Sequence, residues 1–148
     1  MGDQSFFRLC IDGDIEGVQA AIDIGADVNE ENHWGATGLM WALHNGHNNV
    51  VQLLLHHPQI DINKVDPEDG YSSLHWAVIG DNHEGLAALL AQNDDLTSIN
   101  QKDNVGWTPI MGAVAYNKVN CFHLLLTNPL VDLDTRDGYQ RAPQEVRE

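Results

Sequence analysis

Apolar residues return along this chain at helical spacing, in short runs, and the runs come in pairs. Within a stretch from Ile15 to Ile24, Val18, Ala21 and Ile22 fall on one face while Glu16, Gln19, Ala20 and Asp23 point elsewhere, the signature of a helix with one buried stripe. The stripe returns as Val50, Val51, Leu54 and Leu55, then as Leu86, Leu89 and Leu90, then as Cys121, Phe122, Leu125 and Leu126. Each is preceded by a second short apolar stretch and a break such as Asp12-Gly13-Asp14 or Gly46-His47. The pattern predicts helices over 5–11 and 15–24, 38–45 and 49–56, 73–79 and 83–91, and 109–115 and 119–126. Helices this short are marginal alone, so each pair must bury its stripe against its neighbours.

The helix starts repeat as well. Gly106-Trp107-Thr108-Pro109-Ile110-Met111-Gly112-Ala113 combines a glycine for a tight turn, a threonine whose hydroxyl can accept from the first free N–H groups, and a proline where no N–H is needed. The same frame is written as Gly35-Ala36-Thr37-Gly38-Leu39-Met40-Trp41-Ala42 and Gly70-Tyr71-Ser72-Ser73-Leu74-His75-Trp76-Ala77, with a worn copy at Ala142-Pro143. The cap positions 37, 72, 108 and 142 lie 35, 36 and 34 residues apart. A second marker, Asp27-Val28-Asn29, Asp61-Ile62-Asn63, Ser98-Ile99-Asn100 and Asp132-Leu133-Asp134, recurs at 34, 37 and 34. Two registers of one period mean stacked repeats rather than one ordinary globular core.

These motifs resemble the ankyrin-repeat family, with its Thr-Pro-Leu-His-x-Ala signature and a period near 33. The Gly25-Ala26-Asp27-Val28-Asn29 run is similar to the family's exit loop letter for letter. The resemblance implies an all-α solenoid of helix-turn-helix units with protruding turns, the fingers. It covers four repeats at about 1–31, 32–65, 66–102 and 103–136, and a partial capping repeat at 137–148, in a single domain. Repeat three departs most: Asp66-Pro67-Glu68-Asp69 carries an extra finger residue, and the segment from Gln92 to Thr97 adds about three. His75 resembles the family's histidine that braces the turn through the cap hydroxyl, here Ser72. Met40 and Met111 replace it elsewhere, so no such brace is expected in those repeats.

Charge narrows the partners. The net charge is −15, and the seven Lys and Arg residues (Arg8, Lys64, Lys102, Lys118, Arg136, Arg141 and Arg147) form no stripe, so nucleic acid and anionic membrane surfaces are poor candidates. No apolar run approaches a membrane span and the first residues do not resemble a secretory signal; a monomer in the cytoplasm, with the nucleus as a second address, is expected. Cys10 and Cys121 sit in the first and fourth repeats, too far apart to pair. Buried inert thiols are expected.

The eight histidines raise a metal-dependent or acid-base hydrolase as the alternative function. His44-x-x-His47 and His56-His57 are its nearest candidates, yet no third ligand falls at a supporting spacing. His47 resembles the family's loop-bracing histidine. The acidic pairs Glu30-Glu31 and Asp94-Asp95 sit in expected loops, where solvation leaves them ordinary carboxylates. No catalytic residue, metal or cofactor is therefore assigned. Asn63, with Asp61 two and Leu55 eight residues before it, is similar to sites that asparaginyl hydroxylases modify in ankyrin loops; a turn-stabilising role is the stronger expectation.

The main reading is a non-catalytic protein-binding module, an adaptor, scaffold or inhibitor, for a partner with a basic surface. The resemblance places its contact positions on the fingers, at Trp34, Ala36, Glu68, Asp69, Tyr71, Val105, Trp107 and Tyr139. It adds His44, Asn45, Ile79 and Tyr116 toward the ends of the first helices. The finger aromatics are expected to be exposed and to anchor the partner, whereas Trp41 and Trp76 are expected to pack between repeats beside Ala42 and Ala77.

Overall fold

The computed structural model describes residues 5–92 and 98–146; the expected Asp94-Asp95 loop and the terminal residues Arg147 and Glu148 lie outside them. Among the described residues are eight α-helices and no strand: α1 (Phe6–Asp12), α2 (Ile15–Asp23), α3 (Gly38–Asn45), α4 (Asn48–Leu55), α5 (Ser73–Ile79), α6 (His83–Leu90), α7 (Pro109–Ala115) and α8 (Val119–Leu126), followed by a 3-10 turn at Pro143–Glu145. The predicted boundaries agree to within one residue at nearly every end. The odd-numbered helices stack on one another in one layer, the even-numbered ones in a second, and each odd helix packs on the even helix that follows it.

A continuous core runs between the layers. Val18, Val50, Leu54, Leu86, Leu89 and Leu125 from the outer helices meet Leu39, Leu43, Leu74, Val78 and Ile110 from the inner ones, all buried. Each large aliphatic side chain so removed from water contributes about 1.5–3 kcal/mol. The stripes predicted from periodicity are the buried faces, with one correction. Leu126 is 43% exposed, because at the last turn of α8 the stripe has rotated past its neighbours.

Short polar devices close each unit. Between inner and outer helix the chain takes a left-handed conformation at Gly13, Gly46, Asp81 and Asn117, using glycine in the first two units and the tolerated Asp and Asn in the others. The next residue reaches back one repeat. His47 Nε2 bonds the Ile11 carbonyl at 3.0 Å, the bracing role its resemblance implied, and Asn82 Nδ2 donates to the Leu43 carbonyl at 2.9 Å. Where the outer helices exit, a ladder of asparagines reaches forward one repeat: Asn29 accepts from the Asp61 N–H and donates to the Gln59 carbonyl, Asn63 accepts from the Ser98 N–H, and Asn100 accepts from the Asp132 N–H and donates to the Leu130 carbonyl.

The helix starts divide. Ser72 and His75 bond reciprocally, with the ring Nδ1 2.9 Å from the hydroxyl and accepting from the Ser72 N–H at 3.1 Å. The expectation that Met40 leaves its turn unbraced is corrected: the Met40 thioether accepts from the Thr37 N–H at 3.3 Å while the Thr37 hydroxyl accepts from the Met40 N–H. The thioether is a weak acceptor but occupies the imidazole's place. The expected Thr108 cap is corrected too, since its hydroxyl is buried without a partner; Pro109 already sets the first turn there.

Candidate protein-binding surface

Each finger is built by one buried side chain. Asn32, Asp66, Asp103 and Asp137 stand 34, 37 and 34 residues apart and are all buried. The backbone N–H of each donates to the carbonyl of the residue closing its finger: Asn32 to Ala36, Asp66 to Tyr71, Asp103 to Trp107 and Asp137 to Arg141, at 2.8–3.0 Å. Its side-chain oxygen then accepts from N–H groups inside the turn. Asn32 takes Trp34 and Ala36, Asp66 takes Asp69, Asp103 takes Val105 and Trp107, and Asp137 takes Tyr139 and Arg141. Partly buried turn amides are thereby given acceptors. This register was present in the sequence but is masked there by Asp and Asn elsewhere in the loops.

Burial raises the Asp137 carboxyl, but hydrogen bonds from the Arg141 N–H and guanidinium, the Tyr139 N–H and the Trp107 indole outweigh it, holding the group at about 2. Arg141 pairs with it at 2.9 Å. Three further ion pairs, Arg8–Asp12, Lys64–Glu31 and Arg136–Glu145, are partly exposed and add little each.

The predicted contact residues are sorted by this scaffold. Trp34, Val105 and Tyr139 stand 51%, 59% and 78% exposed on the first, third and fourth fingers, and Tyr116 is 42% exposed at the end of α7. Glu68 and Asp69 are exposed on the second finger. Ala36, by contrast, is 2% exposed; it sits at the finger base, where the backbone turns inward toward Thr37. Asn45 is exposed, but its amide donates to the Ile11 carbonyl at 3.1 Å, which ties it to the preceding repeat.

Trp107 is half-buried rather than a free tip. Its indole N–H donates to Asp137 at 3.2 Å and its ring packs on Met111, Ala115 and Val146, so it joins the last two units. Tyr71 is half-buried as well. Its hydroxyl is pushed up to about 12, by burial first and then by Tyr116 and the carboxylates of Asp69 and Asp103. Tyr71, Ile79, Tyr116 and Lys118 line one open hollow of about 460 Å³.

Trp41 and Trp76 pack against each other across adjacent repeats, ring centroids 5.3 Å apart, as expected for inter-repeat contacts. His44 meets both edge-on, 6.0 Å from Trp41 and 5.6 Å from Trp76. The two indoles also line a second hollow of about 170 Å³ with Trp34, Ala36, Asp66, Glu68 and Asp69. Pattern alone missed it, because its walls come from two fingers and two helices.

Among the described residues no three His, Cys, Asp or Glu side chains gather as a metal site, and no helix is long and apolar enough to cross a membrane. The two thiols are buried, and burial pushes Cys10 up to about 12 and Cys121 to about 11.

The family model described as ankyrin repeats (3 copies) matches residues 6–103. The chain belongs to the ankyrin-repeat family. Among its relatives, BTB/POZ domain-containing protein 1 of Schizosaccharomyces pombe is 34% identical over 82 residues, covering 55% of this chain and 6% of that protein. The probable E3 ubiquitin-protein ligase XBOS32 of Oryza sativa subsp. japonica is 29% identical over 141 residues, 77% of this chain and 28% of that one. Rabankyrin-5 of Mus musculus is 31% identical over 91 residues, 62% and 8% respectively. The chain thus spans less than a third of the length of these relatives. Ankyrin repeats are protein-interaction modules, and this ankyrin stack is one.

Proposed function

We propose that this ankyrin stack is a non-catalytic adaptor, scaffold or inhibitor, whose fingers and inner-helix ends grip a protein partner with a basic surface. The boundaries read from the sequence, four repeats and a partial fifth, define the single binding unit. One observation carries the reading: Trp34, Val105 and Tyr139 are held out in water by fingers whose turns are fixed from within. A large apolar side chain presented on a rigid turn loses little freedom on binding, and its area, worth about 25 cal/mol per Å², is still available to a partner. Glu68, Asp69 and the overall charge of −15 favour a basic partner and steer its approach. The chain's similarity to segments of E3 ligase and BTB/POZ proteins fits a recognition element that can serve beside other activities.

The test is capture from a cell extract by the immobilised chain, followed by purification of the identified partner and stopped-flow association at several salt concentrations. A ridge variant, Trp34→Ala with Val105→Ala and Tyr139→Ala, should keep its melting temperature and lose the partner. A variant of outer-helix positions, Ala87→Glu with His123→Glu, should keep both. Raising salt should slow association more than it speeds dissociation. Loss of binding in the outer-helix variant alone places the interface on the wrong face, and an association rate indifferent to salt removes the steering.

A further inference from the structure

The hollow between the first two fingers has the chemistry of a cation cage. Three indoles wall it, Trp34 from the first finger, Trp41 from α3 and Trp76 from α5, and Ala36 lines it as well. The face of an indole ring is electronegative and attracts a cation set over it. Trp76 is fixed in this arrangement, because its N–H donates to Asp66 at 3.1 Å and its ring is braced edge-on by Tyr71 at 6.2 Å. Glu68 and Asp69 are exposed at the same hollow, and among the described residues neither is ion-paired. Its volume of about 170 Å³ is below the roughly 300 Å³ at which small-molecule sites begin. It suits one head group on a thin stem.

We propose that this cage takes a methylated lysine side chain of the bound partner. The choice among cations follows from hydrogen bonding. An unmodified ammonium brings three N–H donors and a guanidinium five, each costly to bury unpaired. The one buried carboxylate in the hollow, Asp66, already accepts the Asp69 N–H with one oxygen and the Trp76 indole with the other. Trimethylation removes all three donors and leaves the charge, so a trimethylammonium can sit among indoles while Glu68 and Asp69 supply attraction that needs no hydrogen bond.

The proposal rests on the protein-binding reading only for the source of the lysine; the cage itself is tested without a partner. The probe is Nα-acetyl-trimethyllysine amide, titrated into the whole nitrogen-15-labelled chain while the indole N–H resonances of the four tryptophans are followed. Saturable shifts are expected at Trp34, Trp41 and Trp76, with Trp107 nearly still, and affinity at least about tenfold above that of the lysine, arginine and neutral tert-butyl analogues. Trp34→Ala, at an exposed position, should leave the circular dichroism spectrum unchanged and weaken binding about tenfold, and Glu68→Gln with Asp69→Asn about threefold. Equal binding of the tert-butyl analogue would reduce the site to an apolar hollow. Equal binding of lysine would make the carboxylates, not the indoles, the recognising groups; equal movement of Trp107, or no saturation, would remove the cage altogether. Failure here leaves the ridge-variant capture result standing, whereas saturation here with capture untouched by the ridge variant, which lacks Trp34, overturns the binding face and the partner as the source of the lysine.

Discussion

Replacing His75 by Met asks the protein to run its third repeat with the residue that the second and fourth already use. His75 is 3% exposed and holds three groups: the Ser72 N–H and hydroxyl through Nδ1, and the Trp107 carbonyl of the next finger, 2.9 Å from Nε2. Because Nδ1 accepts a backbone N–H, the proton sits on Nε2 and the ring is neutral. Methionine at this place can keep the contact to the cap N–H, as Met40 does for Thr37, but it cannot donate to Trp107. The Trp107 carbonyl still accepts the Asp103 N–H at 2.8 Å, so the loss is that of one hydrogen bond, about 0.5–1.5 kcal/mol. With about 2–4 °C per kcal/mol for a chain of this size, a loss near 1 kcal/mol lowers Tm by about 2–4 °C at pH 8. The pH dependence separates this account from mere loss of packing. Burial holds the His75 pKa below its ordinary value near 6.5, against the raising effects of the Trp107 carbonyl and of Asp103 and Asp66. The unfolded chain therefore binds the proton more readily, so the histidine's contribution is full above about pH 6.5 and shrinks as pH falls below it. Thermal melts of wild type and His75→Met at pH 8 and pH 5 should show the gap between them narrowing in acid. A gap that stays constant or widens would mean that the folded ring carries the charge, and the neutral, donor-bearing tautomer would be wrong.

Three further outcomes follow from named contacts. Gly80→Ala should lower Tm by several degrees, because its Cβ would lie 2.3 Å from the His44 carbonyl oxygen and the forced shift, about 1–3 kcal/mol, exceeds the roughly 1 kcal/mol gained in helix propensity; a higher Tm would refute the close approach. Asp103→Asn should be nearly silent in urea unfolding, since Asn32 performs the same task with an amide, whereas Asp103→Ala should cost about 2 kcal/mol; equal losses would show that the charge, not the acceptor, holds the finger. Cys10 and Cys121, buried and held at about 12 and 11, should react with a disulfide reagent only on unfolding, and prompt labelling of the native chain would contradict their burial.

What the sequence disclosed about this fold is what is local. Gly35, Thr37, Ser72 and Pro109 specify turns and helix starts within a few residues of themselves, and the Val50-to-Leu55 stripe requires only helical periodicity. So the period, the helices and most of the core were legible. The surface was legible only in part, because exposure at a finger is decided about 30 residues away. Nothing near Trp107 says that Asp137 and Val146 will cover one side of it, while Trp34, Val105 and Tyr139 have no such cover. The thioether brace at Met40 was hidden by reading the family histidine as necessary, when any acceptor at that place can serve. The three-tryptophan hollow depends on the angle at which two fingers and two helices converge, which no single stretch encodes.

The buried Asn32, Asp66, Asp103 and Asp137 place the shape of each finger in one residue at its base rather than in the exposed tip. The residues at the tips, such as Trp34, Val105 and Tyr139, contribute only their backbone N–H groups to the turn. Nearly any side chain but proline's can supply those. On the proposed binding face, recognition can then drift while the architecture stays still, since a substitution at a tip would change what is gripped without passing through an unfolded intermediate. A new binding specificity is reachable one residue at a time.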